Sequence, residues 1–129
     1  DFLKYMNFLM GNEKKQVIYD QVLKRTSLEE MFQPQIEIGR FESDFPGQDR
    51  KDSMGLTFFL EDNYGEHFVC HSGGQNAFVT HFYLNPAGRT AYVVAFNTTG
   101  MGKKQSTRIL DREIKEYLFQ HVFPLFKSL

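Results

Sequence analysis

The chain has 129 residues, 41% of them hydrophobic and 16% aromatic, with a net charge of −1 and one cysteine. That is one domain's worth of polypeptide with enough apolar material for a core, and no apolar run approaches the roughly 20 residues of a membrane span. The near-zero charge excludes a nucleic-acid surface built on bulk positive potential and gives no reason for binding an anionic membrane, while a lone Cys70 excludes an internal disulfide and leaves the redox compartment open.

The sequence opens on Asp1 without an initiator Met or a signal sequence, which reads as a segment cut from a longer protein, with a processed mature chain as the alternative. Phe2, Tyr5, Met6 and Leu9 recur at helical spacing, and Gly11 closes that helix. Residues 12–16 are polar and read as a turn. Residues 17–24 are ambiguous, because Val17-Ile18-Tyr19 suits a strand and Val22-Leu23 suits a helix. Ser27 with Glu30 three residues on matches a capping box, so a short helix is expected from Ser27 to about Phe32, ended by Pro34. The reading is therefore helical over 1–34.

Residues 35–53 are polar, contain Pro46 and Gly47, and read as a loop, with Ile36-Glu37-Ile38 as a brief edge strand at most. The sheet is expected over 54–97. Its strands are 54–61, 66–72, 77–84 and 90–97, joined by the short turns Asp62-Asn63-Tyr64-Gly65 and Asn85-Pro86-Ala87-Gly88 and so antiparallel. After a glycine-containing loop over 97–105, Ser106 or Thr107 caps a C-terminal helix over 106–123. Leu110, Ile114, Tyr117, Leu118 and His121 are expected to share its packing face, and Pro124 marks its end or a kink. The whole is α+β: one domain over 1–129, an antiparallel sheet of four or five strands, N-terminal helices and a C-terminal helix on one face.

The residues with most chemical content are His71-Ser72-Gly73-Gly74, between the apolar runs Phe68-Val69-Cys70 and Ala77-Phe78-Val79. A polarisable ring, a hydroxyl and two glycines at a strand end form a site-building pattern. The hydroxyl donates and accepts, and glycine lets a ligand approach the backbone. The tetrapeptide resembles the third motif of the serine β-lactamase and penicillin-binding-protein family, Lys-Thr-Gly in many members and His-Ser-Gly or His-Thr-Gly in others. Further pieces follow in the family's order. Asp1-Phe2-Leu3-Lys4-Tyr5-Met6 and Ser27-Leu28-Glu29-Glu30-Met31 with Pro34 are similar to two of its helices. Met54-Gly55-Leu56-Thr57-Phe58, the Asn85-Pro86-Ala87-Gly88 hairpin and Val93-Val94-Ala95-Phe96-Asn97 are similar to its strands and turns, in the class C-like branch.

The resemblance implies the C-terminal portion of a hydrolase that transfers acyl groups through a serine. It implies that the N–H of Gly74 is one of two donors to the oxyanion. It also implies that His71 stands for the usual Lys and works at the catalytic centre, and that Ser72 and Gly73 bind and orient substrate. The substrate would be a β-lactam, a D-amino-acid peptide or an ester, and the location periplasmic or otherwise extracytoplasmic. No cofactor is implied. The nucleophile motif Ser-x-x-Lys is absent from the 129 residues and would lie upstream, in a missing N-terminal part that is then the chain's first partner. Tyr5-Met6-Asn7 and Tyr83-Leu84-Asn85 match the family's Tyr-x-Asn by spacing alone and are read as coincidence.

Blander readings stand beside these. His71 alone is a satisfied strand-end histidine, and Ser72-Gly73-Gly74 alone is a bulge or turn. Ser72 is not the centre of Gly-x-Ser-x-Gly, since position 70 is Cys, and it is read as a binding residue rather than a nucleophile. His67, Cys70, His71 and His81 invite zinc, but alternation puts Cys70 on the face opposite His67 and His71, so no metal is expected. Cys70 reads as a small buried apolar residue. Lys103, Lys104 and Arg108 read as a solvated cluster. Phe119, Val122, Phe123, Leu125 and Phe126 read as core or docking surface. The alternative function is a non-catalytic binding or interaction module derived from the same fold. An isolated portion with open strand edges is expected to self-associate.

Overall fold

The computed structural model describes residues 1–42, 49–98 and 106–126. The first helix, α1 (Phe2–Met10), buries Met6 and Leu9. Gly11 ends it at φ 82°, its N–H donating to the Asn7 and Phe8 carbonyl oxygens at 3.0 and 3.2 Å. The ambiguous stretch after it becomes a one-turn helix, α2 (Gln16–Tyr19), followed by a turn.

The next helix, α3 (Arg25–Met31), starts two residues before the Ser27 cap expected from the capping box. Its first turn is held by a more distant residue: Asp20 Oδ1 accepts the Arg25 backbone N–H at 3.0 Å. The Arg25 side chain ties the helix pair together, donating to the Leu9 carbonyl at 2.7 Å and to Glu29 at 2.9 Å.

Six strands follow as an antiparallel meander in sequence order. They are β1 (Ile36–Glu42), β2 (Asp49–Met54), β3 (Phe59–Asn63), β4 (Glu66–Gln75), β5 (Phe78–Asn85) and β6 (Thr90–Phe96). The α+β class and the antiparallel sheet are as read from the sequence, but the expected loop over 35–53 is replaced by a paired hairpin, which raises the strand count to six. This pair reads as polar because β1 lies at the sheet edge and carries charge, as with the Glu37–Lys51 ion pair at 3.2 Å. Pro46, Gly47, Lys103 and Lys104 lie outside the described residues.

The expected strand over 54–61 is also corrected. Met54 ends β2 and Phe59 begins β3; between them the chain turns, with the Gly55 N–H donating to the Phe58 carbonyl at 2.9 Å and Thr57 at φ 73°. The Leu56 N–H donates to the Met31 carbonyl at 3.0 Å, which binds the turn to the end of α3. A side chain at 55 would collide with the Met31 and Gln33 carbonyl oxygens, so the position requires glycine.

Two-residue turns at Tyr64-Gly65 and Asn76-Ala77, all four residues at positive φ, close the β3–β4 and β4–β5 hairpins. The second turn lies further along than expected. Ser72, Gly73 and Gly74 are therefore strand residues, neither bulge nor turn.

One face of the sheet carries the aliphatic core. Leu60, Val69, Phe82 and Leu84 pack with Met6, Leu9, Leu28, Phe32 and Phe58. The other face is aromatic and polar, and the C-terminal helix lies on it. That helix, α4 (Thr107–Tyr117), is capped by Ser106, whose Oγ accepts the Ile109 N–H at 3.3 Å. It continues as a π-helical turn (Leu118–Val122) and a last α-helical turn, α5 (Phe123–Phe126), past the expected end at 123. Its packing face is not the expected Leu110/Ile114/Tyr117/Leu118/His121 stripe, for Leu110 and Tyr117 are exposed. Thr107, Lys115 and Phe119 are buried instead. Phe119 stacks on Phe68 at 4.4 Å between ring centroids. No helix among the described residues is long and apolar enough to cross a membrane.

Gly55→Ala should destabilise the domain by about 2–4 kcal/mol, through backbone collision at the α3–β3 turn. The urea midpoint of the variant measures this. An unchanged midpoint would show that the turn yields freely.

Candidate functional site

Glu61 sits on β3, facing α4, and is 3% exposed. A carboxylate so placed needs paired charge and full hydrogen bonding. Lys115 Nζ reaches Glu61 Oε1 at 2.6 Å, Asn63 Nδ2 donates to the same oxygen at 2.8 Å, and the Tyr83 hydroxyl donates to Oε2 at 3.0 Å. Arg50 Nε stands 3.7 Å from Oε2. Asp52 lies directly across from Glu61 in the β2–β3 register, and Arg50 grips it through two nitrogens, Nε at 2.7 Å and Nη2 at 2.5 Å. Two carboxylates face each other across the strands, and two cations offset them.

The titrations follow from this. Burial pushes the Glu61 carboxyl up, but the charge and hydrogen bond of Lys115, the charge of Arg50 and the bond from Asn63 together hold it below its ordinary value. Burial, then the Glu61 charge, push the Tyr83 hydroxyl far up, so it remains a donor. Burial above all raises Cys70 to about 12 and keeps it a neutral thiol, in keeping with its reading as a small buried residue.

Beside this network lies a cleft of about 220 Å³, lined by Arg50, Glu61, Tyr83 and the β4 residues Cys70, His71 and Ser72. A second, more apolar cleft of about 450 Å³ opens under α1, lined by Phe2, Tyr5 and Phe82, with Thr57 at its rim. His71, Ser72 and His81 border both. The His71 ring also sits 5.5 Å from that of Phe59.

The clefts adjoin an open strand edge. Gln75 and Phe78 flank the two-residue turn and exchange both their backbone hydrogen bonds; the ladder then alternates. Gly74↔Val79 and Ser72↔His81 are therefore pairs that do not bond one another, and the amides of Gly74 and Ser72 are directed away from β5. On that side β3 pairs no further than Phe59↔Cys70. The amide of Gly74 is thus not consumed by the β4–β5 ladder, and it faces the side that β3 leaves uncovered. A side chain at Gly73 would meet nothing within 4 Å, so that position too is open to a ligand.

On the α4 side, His81 Nε2 lies 2.9 Å from Asp111 Oδ1. The two are within ion-pair range but not aligned as a hydrogen bond, and neither atom has a hydrogen-bond partner among the described residues. Tyr83 and Tyr92 flank the imidazole edge-on, with ring centroids at 5.6 and 5.9 Å.

The structure thus brings His71, Ser72 and His81 to shared walls and puts Gly73 and Gly74 on the free edge beside them. It also adds residues that sequence reasoning passed over. Glu61, Lys115, Arg50 and Asp52 line or support the first cleft. Nothing in the local sequence signals this burial, since Glu61 is followed on β3 by Asp62 and Asn63. Tyr83, taken for a coincidental Tyr-x-Asn, is in the network, whereas Tyr5 lines the apolar cleft. His67 is turned elsewhere and contacts Asp62 at 2.6 Å. Among the described residues no group of three His, Cys, Asp or Glu is placed to hold a metal ion. Comparison with protein-family models, with curated proteins and with solved structures returns no match.

Lys115→Met leaves Glu61 buried without its main cation and should cost about 3–5 kcal/mol at pH 7, while the double variant E61L/K115M should recover most of that loss. Because the folded-state value of Glu61 is depressed, its contribution is complete above its ordinary value of 4.5 and is lost as the pH falls below it. Glu61→Gln should therefore flatten the acid limb of the stability–pH curve. Chemical denaturation at a series of pH values measures both effects, and an unaltered acid limb would remove Glu61 from the account.

Proposed function

We propose that this chain is the C-terminal portion of a serine hydrolase of the β-lactamase and penicillin-binding-protein type, and that β4 is its substrate-binding strand. The observation that carries the reading is the Gly74 amide, directed outward on an uncovered strand edge beside a cleft bordered by His71 and Ser72. Gly74 itself lines neither cleft, but an outward amide on the free edge next to them is available as an oxyanion donor. In this reading the acyl group lies along β4, Gly74 donates to the carbonyl oxygen, and His71 and Ser72 hold the polar end of the substrate. Gly73 gives the substrate room against the backbone. The serine that attacks, with its lysine, belongs to the protein upstream of Asp1. The substrate class is a β-lactam, a D-amino-acid peptide or an ester, and the protein works outside the cytoplasm.

A non-catalytic binding module on the same scaffold is the second reading, favoured by the absence of Ser-x-x-Lys from the sequence. The two separate in the full-length protein. A fluorescent penicillin or a fluorophosphonate should label a serine of an upstream Ser-x-x-Lys. Gly74→Pro removes the amide donor at an edge position that tolerates proline, and it should slow that acylation about 10²–10³-fold. Absence of the upstream motif, or labelling that ignores Gly74→Pro, would overturn the hydrolase reading.

A further inference from the structure

The His81–Asp111 pair has a role that the reading above leaves unused. His81 Nε2 and Asp111 Oδ1 are buried, face each other at 2.9 Å and have no hydrogen-bond partner among the described residues. The ring fixes the direction of the Nε2–H bond, so a turn of the imidazole, not of the carboxylate, aligns the two and satisfies both. Asp111 then accepts the Nε2–H hydrogen bond, which fixes the tautomer and leaves Nδ1 as the ring's acceptor nitrogen. Unlike Nε2, Nδ1 is not shut in the interior without a partner, and the residue borders both clefts. With Nε2 turned to Asp111, Nδ1 is the nitrogen left to serve the cleft that His81 borders.

Ser72 faces His81 directly across the β4–β5 ladder, in a pair that does not exchange backbone bonds. Side chains of such pairs lie on the same face with their Cβ atoms about 4.5–5.5 Å apart. A hydroxyl, an imidazole and a carboxylate therefore stand in succession: Ser72 on β4, His81 on β5 and Asp111 on α4. The His81 side chain is 10% exposed, and Tyr83 and Tyr92 flank its ring edge-on. Ser72 is exposed and open to a ligand.

We infer that Ser72, His81 and Asp111 form an acyl-transfer relay within this chain, acting on small esters that enter the 220 Å³ cleft. Ser72 Oγ attacks the acyl carbon and forms the new C–O bond while its proton passes to His81 Nδ1. The tetrahedral intermediate collapses, the bond to the leaving alcohol breaks, and His81 returns the proton to that alcohol. Water then adds to the acyl-serine by the same route, releasing the acid and restoring the hydroxyl. Asp111 touches no substrate; it is a positioning residue, stabilising the imidazolium. The Ser72 amide, directed out of the free edge, is open to the developing oxyanion. Ser72 lies on a strand and not at a strand-to-helix elbow, so the inference rests on the imidazole–carboxylate pair behind it. It does not depend on the hydrolase reading or on any upstream residue.

The test is a fluorophosphonate probe on the 129-residue chain, followed by peptide mapping. Phosphonylation should form the O–P bond at Ser72 with loss of fluoride, and Ser72→Ala should abolish it. His81→Gln should slow labelling about 10²-fold or more, the usual contribution of a positioned base. Asp111→Asn preserves shape and should slow it at least about tenfold. The same variant should move the ¹⁵N shifts of His81 away from the Nε2-protonated tautomer, a change that a merely structural role does not produce. If His81→Gln fails to fold by circular dichroism, Asp111→Asn with its ¹⁵N readout decides. The inference is overturned by a folded chain that the probe does not modify at Ser72, by a label at another residue, or by Ser72 labelling unaffected in a folded His81 or Asp111 variant. Because the label maps within this chain, its failure is distinct from failure of the upstream-serine reading.

Discussion

The carboxylate of Glu61 is the constraint around which one side of this domain is arranged. Charge at 3% exposure in a β-sheet is tolerated only with a partner at contact distance and every lone pair occupied. Lys115 meets that demand from α4, Asn63 and Tyr83 from the sheet, and Arg50 from the neighbouring strand, itself locked to Asp52. The helix cannot rotate freely on the sheet, since any other face would bury Glu61 without its cation. This is why the hydrophobic stripe of α4 is not its packing face: Leu110 and Tyr117 are left exposed so that Lys115 and Phe119 point inward. Net hydrophobicity favours one rotation of the helix, and the desolvation penalty on a single carboxylate decides for the other.

The same interactions explain which parts of the structure were legible in the sequence. Apolar periodicity and turn chemistry carry α1, the hairpin strands β4 to β6 and the Ser106 cap, because local preference and tertiary packing agree there. They reach β1 only at Ile36-Glu37-Ile38, the brief edge strand, and miss its extension to Glu42 and all of β2, where charged residues leave no apolar alternation. They fail again at Gly55, where Met54-Gly55-Leu56-Thr57-Phe58 looks like one strand but is bent by a close approach to the end of α3. The Ser27 capping box is overridden by Asp20, five residues before Arg25 and outside any local window. For the site, the β4 tetrapeptide stands out on composition. Its relation to Glu61, Lys115, His81 and Asp111 is a matter of register and helix placement, which one-dimensional spacing does not encode.

Strand length is what gives the tetrapeptide its chemical opportunity. β3 has five residues and β4 ten, so β4 continues beyond its neighbour from His71 to Gln75. On the β5 side these residues are fully laddered and rigid. On the other they present backbone amides with no strand to receive them, the kind of edge that proteins ordinarily cover or blunt. The departure of the chain at Gly55–Phe58, with Thr57 held at φ 73°, is what stops β3 from covering it. A β-branched residue in the left-handed region is strained, and strain that persists beside a cleft is characteristic of places where geometry serves a ligand.

The Glu61 network and the His81–Asp111 pair meet on α4. Asp111 and Lys115 are four residues apart and so lie one turn apart on the same helical face. Lys115 is fixed by Glu61, and that contact sets both the rotation and the height of the helix on the sheet. Asp111 is thereby delivered to His81 on β5. The buried ion pair thus does more than hold the helix down. It places a carboxylate behind the imidazole of His81, opposite Ser72, with a tolerance that loose hydrophobic docking of the same helix would not provide. A helix free to slide by one residue would move Asp111 by about 1.5 Å and turn it through about 100°, enough to leave His81 without its partner.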